Sequence, residues 1–117
     1  MTLLTTILIV FVALEHFYFL ILEMFLWTTP KGIKTFRLKS KNFADDTKVL
    51  AANQGLYNGF LAAGLVFSII QKDIQIAAFF LICVIIAGMY GAYSTKQIKL
   101  FYAQAVPAII TLISCFI

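Results

Sequence analysis

The chain has 117 residues, of which 62% are hydrophobic and only 12% charged, with a formal net charge of +4. Its mean hydropathy is +0.98. A soluble domain carries far more charge, and this length holds one domain. Stretches of about 20 residues that are apolar on every face exclude an amphipathic soluble bundle and predict bilayer spans. The expected fold is therefore all-α: an integral membrane four-helix bundle with antiparallel up-and-down connections, forming a single domain over residues 1–117.

The first apolar segment, about 3–27, lacks the charged n-region and small-residue cleavage site of a signal peptide and is too long for its h-region. It is expected to stay in place as the first span. The loop after it, about 28–47, opens with Pro30 and Gly32 and carries Lys31, Lys34, Arg37, Lys39 and Lys41. Its Ile33, Phe36, Leu38 and Phe43 suit a short amphipathic piece at the headgroup boundary. The second span, about 48–70, has small residues at every fourth position, Ala51, Gly55, Gly59 and Ala63. Such a stripe lets another helix approach closely, within one chain or between two.

The third span, about 74–93, follows a connection of only Gln71, Lys72 and Asp73, and it repeats the small-residue spacing at Ala87/Gly91 and Gly88/Ala92. The fourth, about 99–117, follows the connection Ser94 to Lys99. Tight connections force antiparallel neighbours. Cys83 and Cys115 sit in apolar stretches at a spacing that fits no zinc or redox motif, and read as packing residues.

With four spans, the first and third connections share one side and hold eight of the nine Lys and Arg residues, counting Lys48 with the first. Short basic loops stay cytoplasmic, so a multi-pass protein of the cell membrane with both termini external is expected. The same bias accounts for the basic charge through contact with anionic lipid headgroups, and argues against nucleic acid as a partner.

Glu15, His16 and Glu23 interrupt the first span, and Asn53, Gln54 and Asn58 the second. A central ionisable group costs about 2.5 kcal/mol or more in hydrocarbon, so such groups face the interior and mark function. At 100° per residue, Glu15, His16 and Glu23 fall within about 100° of arc, with Trp27 continuing that side. Matching depths places Glu23 opposite Asn53 and Gln54, level with Gln104, and puts Glu15, His16 and Asn58 near the midplane. These groups together predict a polar intramembrane cavity opening to the cytoplasm. Its candidate binding residues are Glu15, His16, Glu23, Trp27, Asn53, Gln54 and Asn58.

The stretch EHFYFLILEMFLWTTP, from Glu15 to Pro30, and KVLAANQGLYNGFLAAG, from Lys48 to Gly64, resemble the small bacterial four-helix membrane proteins grouped as domain of unknown function 1304. The resemblance covers essentially the whole chain. It implies the same architecture and supplies no activity.

Three functions suit these residues. The first is a small-molecule or ion binding protein or transporter component, which at this length needs a homo-oligomer to form a pathway. Its ligand would be a cation or a lipophilic small molecule, with imidazole the side chain that titrates nearest neutral pH. The second is a membrane enzyme using carboxyl and imidazole groups as acid and base on an isoprenoid, sterol-like or quinone substrate. The third is a structural protein whose polar cluster only specifies helix pairing, although interhelical hydrogen bonds return only about 0.6 kcal/mol on average. A metal site built on Glu15, His16 and Glu23 is a further reading, but their i, i+7 and i, i+8 spacings leave about 10 Å along the axis, so it would need Asn or Gln oxygens or ligands from a partner chain. No dinucleotide, P-loop, nucleophile-elbow or CxxC motif identifies a cofactor.

Overall fold

A computed structural model describes residues 1–117 and is all-α. Helix α1 is Leu3–Met24, α2 Pro30–Phe36, α3 Lys41–Gln71, α4 Ile74–Thr95 and α5 Ile98–Leu100; a π-helical turn at Phe101–Ala105 leads into α6, Val106–Ser114. Two helices, Leu3–Met24 and Ile74–Thr95, are long and apolar enough to cross a membrane. The chain divides into two compact units, Glu15–Phe60 and the remainder, Met1–Leu14 with Leu61–Ile117.

In the unit Glu15–Phe60, α1 ends near the expected place, but the connection after it is not plain loop. Pro30 starts α2 at a position where its missing N–H costs nothing, and Thr29 Oγ1 caps the helix by accepting from Gly32 N at 3.3 Å. Arg37, at φ 54°, closes it in a left-handed conformation, with Leu38 N donating to Ile33 O at 3.0 Å. Gly32 is buried against the carbonyl oxygens of Leu26 and Trp27, which a Cβ there would overlap, so only glycine fits. Ile33, Phe36, Leu38 and Phe43 are half-buried while the lysines and Arg37 remain exposed, the two-sided character expected of this segment.

Helix α3 begins seven residues before the apolar stretch does. Ser40 Oγ accepts from Phe43 N at 3.0 Å, a capping contact, and the exposed pair Lys41 Nζ to Asp45 Oδ1, 3.0 Å apart, lies one turn along. Charged residues with good local contacts thus extend the helix beyond any hydrophobic signal. The two glycines of the stripe face α1, while Ala63 is exposed: a Cβ on Gly55 would meet Met24 Cγ at 2.8 Å and Glu23 Cβ at 3.0 Å, and one on Gly59 would meet Leu20 Cδ1 at 2.5 Å. Rising numbers on α1 pair with falling numbers on α3, so within this unit the two run antiparallel.

In the other unit, Ile9, Val12 and Ala13 of α1, Ala62 and Leu65 of α3, Ala77, Leu81 and Val84 of α4, and Ala108 of α6 form the core. Thr5 Oγ1 ties α1 to α6 through 3.1 Å contacts with Ser114 O and Oγ. The three-residue turn after α3 closes tightly. Lys72, at φ 52°, ends α3 while Asp73 N donates to Ser68 O at 3.0 Å, and Asp73 Oδ1 then caps α4 by accepting from Gln75 N at 2.8 Å. Of the small residues in α4, Gly88 makes a close approach, its Cα lying where a Cβ would meet Ala105 N at 3.1 Å. Ala87 is exposed.

The fourth apolar segment differs from an unbroken helix. Val106 N bonds to Phe101 O, a five-residue step, just before Pro107. Proline offers no N–H and its ring crowds the carbonyl four residues back, and a widened turn relieves that crowding.

Candidate functional site

The seven candidate binding residues all lie in the unit Glu15–Phe60, whereas Gln104, on the π-helical turn, belongs to the other unit. On α1 the single covered face holds three of them. His16 is 1% exposed and Glu23 7% exposed, and Glu15 is partly covered. The His16 ring meets Phe19 edge-on with centroids 5.3 Å apart. Its Nδ1 lies 3.9 Å from Glu15 Oε1, and that oxygen is screened from solvent yet accepts no hydrogen bond.

Glu23 has a direct partner on α3: Asn58 Nδ2 donates to Glu23 Oε1 at 2.5 Å. Both groups are buried. Asn58 lies in phase with the small-residue stripe, since at 100° per residue Ala51, Gly55, Asn58 and Gly59 span only about 100°. The stripe that brings the backbones close therefore also delivers the amide to the carboxyl group.

Asn53 and Gln54 are corrected by the structure. Both are exposed: Asn53 lies on the side of α3 away from the stripe, and Gln54, about 40° around the helix from Asn58, lies at the edge of the covered face. The expected pairing of Glu23 with Asn53 or Gln54 missed by about one helical turn. Register along α3 is set by the fit of Gly55 and Gly59 against Leu20, Glu23 and Met24, and not by equal distance from a supposed membrane boundary.

Trp27 is held at the junction after α1. Its Nε1 donates to Thr47 Oγ1 at 3.0 Å and its ring lies 4.9 Å from that of Phe36. Thr47 in turn donates to Phe43 O at 2.8 Å. Trp27 thus ties the α1 end to α2 and α3. The role of Thr47 was not legible in advance, because a threonine in a polar helical turn carries no distinguishing pattern.

No set of three His, Cys, Asp or Glu side chains converges as metal ligands. The chemistry available is that of two covered carboxyl groups, one fixed by an amide and one lacking a donor, with an imidazole beside the second. Such a cluster can accept a proton, a small cation or a hydrogen-bond donor from a ligand.

Fold and site together define a small all-α protein with two helices suited to crossing a membrane and a covered cluster of ionisable side chains on the first. The family model described as Protein of unknown function (DUF1304) matches residues 10–116, and the chain belongs to that family. It is also 34% identical over 119 residues to the Uncharacterized protein YpaA of Lactococcus lactis subsp. lactis (strain IL1403), an alignment covering 99% of each chain. No solved structure matches.

Proposed function

We propose that this is a four-helix integral membrane protein of the cell membrane that binds small cations, or the polar groups of a small molecule, at two successive pairs along α1, Glu15 with His16 and Glu23 with Asn58, as a transporter-like component. The apolar exterior supports the membrane part. Leu3 is 77% exposed, Ile70 68% and Phe116 73%, and exposed large hydrophobics occur on α1, α3, α4 and α6. Exposed apolar surface on that scale requires lipid or protein around it.

Glu15 Oε1 carries the binding part. A cluster that served only helix packing would satisfy its buried acceptors, because leaving one unpaired costs about 1–3 kcal/mol. This oxygen is buried beside His16 and has no donor. Native mass spectrometry of the purified chain is expected to retain a bound species that Glu15→Gln loses. A ligand-free wild-type chain that also passes no cations in proteoliposomes would overturn the binding role. A packing role has its own specific support in the Glu23–Asn58 hydrogen bond, and substitutions at Glu23 separate the two readings.

In the proposed topology, the segment containing α2 and the connection at Lys96 to Lys99 face the cytoplasm, where their cations meet anionic headgroups. A cysteine at Lys39, with Cys83 and Cys115 replaced by serine, is expected to react with an impermeant thiol reagent only after the cells are opened. Labelling from outside intact cells would reverse the orientation.

A further inference from the structure

Lys48 and Lys72 bracket 23 uncharged residues of α3, from Val49 to Gln71. Within that stretch the side of α3 opposite the stripe is uncovered: Leu50 is 70% exposed, Tyr57 63% and Phe60 56%, and Asn53 and Gln54 are exposed with them. At 100° per residue these five positions lie within about 120° of arc. Leu50, Asn53, Tyr57 and Phe60 are spaced three, four and three residues apart, the alternation that seats one helix along another at a shallow crossing angle.

We infer that this face is the interface of a homodimer in which Asn53 and Gln54 of one copy hydrogen-bond the same amides of the other. The inference rests on α3 being a spanning helix, as the function proposed above requires. Two amides about one to two turns inside such a span have no water to turn to, and lipid offers them no partner. An amide is both donor and acceptor, so a second copy related by a twofold axis satisfies it without any other chemistry. The face carries no charge, so it offers nothing to recognise a charged partner. Gly55 and Gly59, the close-approach positions, are already covered within the chain by Leu20, Glu23 and Met24, so beside them a second helix has this side of α3 to meet.

The full chain, labelled with donor or acceptor dyes and reconstituted in phospholipid vesicles, is expected to associate and to dissociate as lipid is added. Replacing Asn53 and Gln54 together by leucine is expected to weaken association about tenfold, the scale of several interhelical hydrogen bonds. In the amide-intact chain, Tyr57→Cys, with Cys83 and Cys115 replaced by serine, is expected to form a disulfide-linked dimer on mild oxidation. A chain that stays in the membrane through alkaline extraction but is monomeric at every lipid ratio overturns the dimer and leaves the membrane reading standing. Equal association of the doubly substituted chain also overturns it. Release of the chain by alkaline extraction removes both.

Discussion

Gly55→Leu is expected to cause the largest loss of stability of any single substitution in the stripe. A Cβ at Gly55 meets Leu20 O at 3.2 Å and Glu23 Cβ at 3.0 Å as well as Met24 Cγ. The first is backbone and the second sits directly on it, so α1 itself must move. At Gly59 the obstacles are both in the Leu20 side chain, which can turn to another rotamer. Alanine gains roughly 1 kcal/mol over glycine in helix propensity, whereas overpacking costs about 1–3 kcal/mol. Gly59→Ala is therefore expected to be close to neutral, Gly55→Ala to lose up to about 2 kcal/mol, and Gly55→Leu to lose about 3 kcal/mol or more, since its branched side chain also has no space. Thermal unfolding of the purified chain in detergent ranks the three. A Gly55→Leu midpoint equal to that of the unsubstituted chain would mean that the stripe does not lie against α1.

The same contact shows what sequence could and could not supply. Long apolar runs with no alternating polarity identify helices, and they placed α1 and α4 to within a few residues. The turn at Lys72 and Asp73 was legible because only three residues separate two apolar runs, and the structure adds Asp73 as the cap of α4. A short amphipathic piece was legible after Pro30, but its ends, the charged first turns of α3 and the π turn before Pro107 were not. Local capping contacts and backbone crowding set them, and neither leaves a hydrophobic period. Glu15, His16 and Glu23 stood out as ionisable groups in apolar sequence, and the structure covers all three. The partner of Glu23 did not stand out, because pairing two helices requires their relative register. A slip of one turn exchanges Asn58 for Asn53 or Gln54. The phase of the stripe held the missing information: Asn58 shares the side of Gly55 and Gly59, Asn53 lies away from it, and Gln54 lies only at its edge.

Glu23 then offers the most decisive test of what the cluster is for. Glu23→Gln retains an acceptor for the Asn58 amide at nearly the same position, and Glu23→Leu removes it. If the Glu23–Asn58 pair only holds α1 to α3, the glutamine chain should match the original in stability. The leucine chain should lose about 1–3 kcal/mol, the cost of leaving a buried amide unpaired. Replacing Asn58 by leucine in the Glu23→Leu chain should then restore much of that loss, because two apolar side chains of similar shape leave nothing unsatisfied. If the carboxyl group instead binds a cation or a donor from a ligand, stability and binding should separate. Glu23→Gln should fold as well as the original yet lose ligand retention at least tenfold, since a neutral amide forfeits a charge-assisted contact worth about 1.5–3 kcal/mol. Measuring both properties on the glutamine chain decides between the two. Full retention of ligand with unchanged stability would exclude Glu23 from binding and leave Glu15 and His16 to carry it.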